Sequence, residues 1–483
     1  MKHMQLRGTV ILLCLALSTS LFAAGVDLTG IGARAQALGG SYRALSNDWS
    51  GMFWNPGGIM QKSGLSFGAS IELVKPIVGY TAAVGPLGMP FSATSTTEIK
   101  NNAKTFVLPA FGVMYNTGKI TYGLGFWAPF GLGAEWDLLN TAAYNANFPE
   151  IDWEDDLKVM DIHPTIAVEL SDKVSAGIGL SIIYADIMIR KPKFTGNPFV
   201  YNPSLAGLKA ALPPALVKNP YDQILTDTKL DGDGLGFGAN FGILYKATET
   251  FNIGVSAQYY GDVPLEGTID AMTYFANAPT VIPAIKPTLD ALLAGGLIKA
   301  ADYQQLLAIY SGQSVAQASG KKIKATLPLP VKAGIGVAYS GISNLIVTAD
   351  VAWTNWAVWD VIEIKDENDQ LYSQLDQKWQ NSLRFGVGLE YALNPVTVRG
   401  SFYTENNAAV PETMAPTIPD AGRRNVVIIG VGVPVGPLEL YASFEKMFIS
   451  DMNVTEWNLF YENMAGLYKM DVTNFMFGVN VNL

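Results

Sequence analysis

Outside the first two dozen residues the chain holds one histidine, His163, the one conventional general base it could use near neutral pH. A hydrolase would set it beside a nucleophilic serine and an orienting carboxylate. A lone histidine on the inner face of a strand is more simply a hydrogen-bonded filler. The only cysteine, Cys14, sits in an apolar N-terminal run, so thiolate catalysis, disulfides and cysteine-ligated metals leave with that run if it is removed. One histidine cannot build a metal cluster without a site made mainly of carboxylates, and the acidic run Asp152-Trp153-Glu154-Asp155-Asp156 reads as a solvated loop. No catalytic residue, no metal and no cofactor are therefore expected. The residues that stand out instead are apolar. Leu205, Leu208, Leu212 and Val217 recur at helical spacing, as do Leu289, Leu292, Leu293, Leu297, Leu306, Leu307 and Tyr310. Surface of this kind can form a collecting groove; the same spacing also suits an internally packed cap.

The elements that must carry these residues follow from composition and punctuation. The chain is 49% hydrophobic and only 15% charged, yet no run beyond the N-terminus approaches the ~20 apolar residues of a spanning helix. Residues 1–24 carry Lys2 and Arg7, an apolar stretch from Val10 to Leu17 and a small-residue end at Ala23-Ala24, the pattern of a secretory signal peptide cut near Ala24. Loss of Lys2 and Arg7 makes the net charge of -10 more negative still, which argues against nucleic acid as a partner.

Beyond residue 61 tight polar turns alternate with long irregular segments. The turns fall at Asn116 to Lys119, Ser171 to Lys173, Ala247 to Thr250, Ser340 to Ser343, Ala392 to Pro395 and Val433 to Gly436. The long segments run roughly from Lys75 to Thr105, Gly131 to Asp156, Pro192 to Thr226, Ala271 to Gly320, Lys365 to Gln377, Glu405 to Arg423 and Ser450 to Lys469. Six turns and seven long loops connect fourteen strands, and a barrel in an outer membrane has one short-turn rim and one long-loop rim. Period-two alternation agrees: Leu65, Phe67, Ala69, Ile71 and Leu73 oppose Ser66, Gly68, Ser70 and Glu72, and Phe475, Phe477, Val479, Val481 and Leu483 oppose Asn474, Asn480 and Asn482. A soluble sandwich would alternate equally, but would not need the two unequal rims. The reading is an all-β chain, a 14-stranded antiparallel transmembrane β-barrel over 62–483, in the bacterial outer membrane.

Inward positions include Glu72, Asp161, His163, Glu169, Lys332, Asp350, Arg384, Glu390, Arg399, Glu439 and Glu445, whose mixed signs suit paired charges filling the lumen. Two prolines mark one seam. Pro129 lies in the third strand, Thr121 to Gly131, near Gly125, and on a simple hairpin register Pro109 of the second strand lies opposite Phe126. A proline cannot donate to a ladder, so a gap in the wall is expected there, or else a strand end.

Residues 25–61 are too long for a linker and carry Gly32-Ala33-Arg34-Ala35-Gln36-Ala37-Leu38-Gly39-Gly40 and then Phe53-Trp54-Asn55-Pro56-Gly57. Here the sequence resembles the long-chain fatty acid transporter (FadL/TodX) family, over what reads as the whole mature chain. The resemblance departs at Gly57, where the family commonly has alanine. It implies that residues 25–61 form a hatch inside the lumen, with Val26, Asp27, Leu28, Phe53, Trp54, Asn55 and Pro56 as gating or hatch residues. It also implies a kinked third strand, with Pro109, Gly125 and Pro129 at a lateral opening through which apolar cargo enters the bilayer. Leu205, Leu208, Leu212, Leu289 and Leu293 would capture cargo, and Arg190, Lys191, Lys378 and Arg384 are candidates by position to meet a carboxylate. The function implied is passive uptake of long-chain fatty acids or aromatic and aliphatic hydrocarbons by a monomer, with outer-membrane lipid and the outer-membrane assembly machinery as partners. A lipid-modifying enzyme and a general diffusion porin are the alternatives.

Overall fold

The structure, a computed structural model, describes residues 25–28, 30–61, 64–83, 97–139, 148–218, 221–458 and 463–483. The expected leader, residues 1–24, lies outside these, as do parts of the long loops at 84–96, 140–147, 219–220 and 459–462.

Strands begin with β1 (Gly64–Ala82), β2 (Phe106–Asn116), β3 (Ile120–Trp136) and β4 (Trp153–Ser171). β5 (Val174–Gly196) and β6 (Gln223–Lys246) rise furthest without a break. The next four are each interrupted once: β7 (Phe251–Tyr260, Val263–Tyr274), β8 (Ser314–Leu327, Lys332–Ile342), β9 (Leu345–Thr354, Val361–Asp366) and β10 (Leu371–Asp376, Ser382–Ala392). β11 (Thr397–Glu405), β12 (Arg424–Val435), β13 (Leu438–Ile449) and β14 (Gly466–Asn482) complete the series. Every neighbouring pair is antiparallel, and β14 pairs with β1 from Ser66↔Asn482 to Ala82↔Gly466, so the sheet closes. The result is a closed 14-strand antiparallel barrel, which leaves no sheet edge at the closing seam.

The two faces separate as the alternation requires. Phe67, Phe385, Phe477 and Val255 point outward and are exposed, while Ser66, Ser70, Glu72, Ser256 and Gln258 are buried inside. The expected loops are shorter than their sequence bounds, because strands continue past the apolar band. β5 and β6 pair as far as Gly196↔Gln223, and the expected Lys365 to Gln377 loop is a hairpin with Val361↔Asp376 paired. Above the bilayer the outer strand face meets water instead of lipid, so the apolar period fades although the ladder does not. The acidic run from Asp152 is corrected likewise: residues 153–156 open β4, with Asp155 turned inward and Glu154 and Asp156 less buried.

Residues 30–61 pack against inward-facing side chains from opposite sides of the ring. Gln258 donates to the Phe53 carbonyl (2.6 Å), Asn240 to that of Met52 (2.7 Å) and Ser175 to that of Gly57 (2.7 Å). Across the lumen Ser443 donates to Gln36 (2.6 Å) and Arg34 meets Glu390 (2.8 Å). Wall glycines make the room. A Cβ at Gly254 would lie 2.1 Å from the Arg43 carbonyl oxygen, and one at Gly242 would lie 2.1 Å from Asn55 Oδ1.

Candidate functional site

The third strand is where the wall departs from a regular ladder. β2 and β3 pair from Asn116↔Thr121 only to Phe111↔Phe126, and no pairing between them continues above. The register differs by two residues from the expected one: Phe126 faces Phe111, so Pro109 lies level with Ala128, because the turn spans 117–120 and the first pair is Asn116↔Thr121. On its other side β3 gains one residue against β4 between Trp127↔Asp161 and Phe130↔Val159. That bulge, at Ala128-Pro129, switches which parity faces the lumen. Thr121, Gly125 and Trp127 are buried below it, and Phe130, Leu132 and Trp136 above it.

The freed edge of β3 does not stay unpaired. Leu28 N–H donates to the Pro129 carbonyl (3.1 Å) and Gly131 N–H donates to the Val26 carbonyl (2.9 Å), with Asp27 bridged to Phe130. The N-terminal tip thus forms a short antiparallel strand where β2 has turned away. Asp27 is bonded to Lys332 of β8, whose ammonium also lies 4.4 Å from the Phe130 ring centre. Gly25 N–H reaches the buried carboxylate of Asp420 (3.3 Å), which also accepts from Ala408 (2.6 Å) and Ala409 (3.2 Å) and pairs with Arg424. Above the tip stand Trp356, Trp359 and Trp379, with the last two stacked at 4.5 Å. They leave no space for a side chain at residue 25, where a Cβ would lie 2.7 Å from Trp379 and 2.8 Å from Trp356.

A series of cavities leads to this point. The outermost, about 500 Å³, is lined by Lys191, Lys193, Gln374, Thr413, Asn458 and Trp457. It shares Ile189, Leu375, Gln377 and Ile418 with a constriction of about 40 Å³ walled by Leu132, Leu157, Leu230, Leu265, Ile364 and Trp359. Leu157 in turn lines a cleft of about 20 Å³ bounded by Leu28, Leu108, Pro109, Phe126 and Phe130, in the unpaired stretch between β2 and β3. Vestibule, apolar neck and wall cleft therefore adjoin one another in sequence.

The remaining predicted residues fall elsewhere. Leu205, Leu208, Leu212 and Leu289 are buried and Leu293 partly so, all in one cluster with Phe199, Ile285 and Tyr310; they pack on one another as a cap over the rim. Arg190 faces Glu154 (3.7 Å) and Asp227 (3.6 Å). Lys378 holds a left-handed backbone with its N–H donated to Asp360 (3.0 Å). Arg384 does not stand in the upper lumen: its guanidinium donates to the Gly39 carbonyl and lies 3.8 Å from the Tyr403 ring centre, clamping the N-terminal segment. Trp54 Nε1 donates to Ile31 (2.8 Å), and Asn55 Nδ2 to Arg43 (2.8 Å) and Ile243 (3.0 Å), with Pro56 against Gly177 and Gly242. Several of the inward charges pair, largely from the wall to this segment, as Arg34 does with Glu390, Arg43 with Asp350 and Asp27 with Lys332, whereas Glu72 and Glu445 accept from Gln36 and Asn474 instead. Glu169 is exposed near the short-turn rim. Sequence reasoning passed over Trp356, Trp359, Trp379 and Asp420, whose association with Gly25 spans hundreds of residues and leaves no local spacing to read.

His163 is held on both nitrogens. Nδ1 faces Ser181 Oγ (3.0 Å) and Asp161 Oδ2 (3.2 Å), and Nε2 faces Asn240 (3.1 Å). A Ser–His–Asp relay needs serine and carboxylate on opposite nitrogens; here both share one, and Ser181 donates to Asp161 (2.8 Å) instead. The histidine joins strand to strand beneath Trp127, 5.0 Å away ring to ring.

A closed barrel with an apolar outer band, a charge-paired interior and a segment laid across its bore defines an outer-membrane transport protein of the β-barrel class. A family model described as outer membrane protein transport protein (OMPP1/FadL/TodX) matches residues 14–483, and the chain belongs to that family. The long-chain fatty acid transport protein of Escherichia coli is 22% identical over 414 residues, covering 84% of this chain and 83% of that protein. A putative outer membrane protein of Neisseria meningitidis, NMB0088, is 28% identical over 151 residues, and the match spans 30% of this chain and 32% of that relative. Among solved structures a Pseudomonas aeruginosa FadL homologue superposes with a TM-score of 0.70 at 15% identity, covering 95% of this chain and 100% of that one. The Pseudomonas putida toluene transporter TodX gives 0.64 at 15% identity, covering 95% and 99%. At these identities the superpositions speak for the fold.

Proposed function

We propose that the chain is a passive channel for hydrophobic molecules, which enter from the long-loop rim and leave sideways into the bilayer between β2 and β3. The observation that carries the reading is the lapse of the β2–β3 ladder above Phe126, stoppered by Val26–Leu28 and adjoined by the apolar neck. An apolar cargo gains about 0.8 kcal/mol for each methylene removed from water, so descent from vestibule to bilayer needs no energy source. Residues 25–61 act as the hatch, with the tip as its gate and residues 1–24 as the removed leader; assembly by the outer-membrane machinery and a monomeric state complete the picture. Relatives named for long-chain fatty acids and for toluene support long-chain lipids or hydrocarbons as cargo. A diffusion porin is disfavoured because the lumen is crossed by packed chain from Gly30 to Gln61, and an enzyme because His163 lacks relay geometry.

The test is removal of Val26, Asp27 and Leu28 from the mature chain, followed by uptake of a radiolabelled hydrocarbon into cells with equal amounts of folded barrel. The expected outcome is severalfold faster uptake with little ion conductance in planar bilayers. Unchanged or slower uptake would remove the gate from the scheme, and a large steady ion current from the unaltered protein would restore the porin.

A further inference from the structure

One buried carboxylate on the path has no counterpart. Asp155 projects inward from β4, is 4% exposed, and lines both the apolar neck and a polar cavity of about 250 Å³ set in the wall between β2 and β3. Asp155 belongs to both linings, so it stands at their junction. Neither of its oxygens has a hydrogen-bond partner; the Ala134 amide lies toward it without reaching bonding geometry. The other charges of the polar cavity are matched locally: Lys104 with Glu135, Lys158 with Asp156 (2.6 Å), and Glu154 with Arg190 (3.7 Å). The cavity therefore carries an uncompensated acid, not an uncompensated base.

Resting on the channel reading above, we infer that this site selects a long-chain amphiphile whose head donates a hydrogen bond, such as an alkyl alcohol, and disfavours one with a carboxylate head. The alkyl chain lies along the neck among Leu132, Leu157, Leu230 and Leu265. The hydroxyl sits at the junction, donates to an Asp155 oxygen and faces the polar cavity through Asn101 and Asn102. An orphaned buried acceptor gains its missing donor in this way, whereas an ionised head brings its own charge into a poorly solvated place whose neighbouring cations, Lys104, Lys158 and Arg190, already face carboxylates.

The experiment measures equilibrium binding of radiolabelled hexadecanol, hexadecanoate and hexadecane to the full folded protein in detergent, at a pH where hexadecanoate is ionised. The unaltered protein is expected to bind hexadecanol about tenfold or more tightly than hexadecanoate, the size of one buried hydrogen bond. Asp155→Leu should shrink that ratio to about twofold, chiefly by weakening hexadecanol. Asp155→Asn, which keeps the shape, serves if the leucine variant fails to show heat-modifiable mobility; its amide can donate to a carboxylate, so it too should narrow the ratio. Equal or tighter binding of hexadecanoate by the unaltered protein, or an unchanged ratio in a folded variant, overturns the inference while leaving the channel standing. Failure of all three ligands, hexadecane included, overturns the channel reading and this inference with it.

Discussion

Two seams of the same barrel show how a wall is closed and how it is left ajar. Between β1 and β14 the register runs without a slip from Ser66↔Asn482 to Ala82↔Gly466, and Pro76 lies within it, paired by register to Val472. Between β2 and β3 the ladder stops at Phe111↔Phe126. A proline alone is thus not enough to split a ladder. Pro76 stands where the pairing of β1 to β2 has already lapsed, above Val74↔Phe106 and before Gly79 pairs with Lys100 in the segment ahead of β2, so a missing donor can face that side at little cost. At the other seam Pro109 and Pro129 lie within one residue of facing one another, and the bulge at Ala128-Pro129 turns β3 inward. There a separate piece of chain, Val26–Leu28, satisfies the edge that β2 abandons. One seam is closed by its own two strands, and the other is filled by a separate segment, which the proposed gate would withdraw.

The largest effect should come from breaking the permanent seam. Val479 lies in β14 with a strand on each side, opposite Ala69 and Leu440, so Val479→Pro removes a ladder bond that lipid cannot replace. A loss of several kcal/mol is expected, read as disappearance of the heat-modifiable folded band. A barrel that still assembles would mean that the closing seam tolerates gaps as the other does. A smaller and opposite effect is expected from mending the open seam. Pro109→Val with Pro129→Ala returns two donors, each worth about 1 kcal/mol when bonded. β2 then competes with the tip for the β3 edge, and cargo uptake should fall about tenfold with assembly unchanged. Uptake at the original rate, with the strands shown joined by amide exchange protection, would place the exit elsewhere.

The same contrast explains what could be read from residues alone. The permanent wall was legible because lipid outside and a packed lumen inside impose period two, as at Leu65 to Leu73 and Phe475 to Leu483. Even the prolines of the weak seam stand out in the sequence. Three things were hidden. The bulge reverses parity, so Phe130 and Trp136 face inward although a constant period from Thr121 would turn them out. The upper ends of β5 and β6 bear Lys193, Thr195, Gln223 and Thr226 on strands that look like loops, since an outer face in water rather than lipid removes the apolar signal. The partners of the inner charges, such as Arg34 with Glu390, are set by where the N-terminal segment crosses the bore, which no local spacing encodes. Gly57 carries a further lesson: it approaches the wall so closely that a Cβ would lie 2.9 Å from the Gly242 carbonyl oxygen, so the alanine expected from the resemblance would force a shift here.

The smallest expected effect lies at the rim, on the strand that both bounds the neck and leads away from the weak seam. Asp152, just before β4, is buried and caps β3's exit by accepting from Leu138 N–H (3.0 Å) and Leu139 N–H (2.6 Å). Burial pushes its carboxyl up to about 7, against the pull of those same amides, and Asp137 nearby adds to the rise. An acid whose folded value is raised holds its proton more tightly in the docked loop than in the open one. The docked form is therefore favoured fully below the ordinary carboxylate range, loses that advantage as pH climbs from there, and has lost all of it above about 7. Amide exchange at Leu138 and Leu139 should accelerate between mildly acidic and mildly alkaline buffer, while the paired amides of the β1–β14 seam keep their protection. Asp152→Asn, which cannot ionise, should flatten that dependence and leave hydrocarbon uptake within about twofold of the original. A dependence that survives the substitution would assign the loop's opening to another group, and a change in uptake would tie the rim to the gate below it.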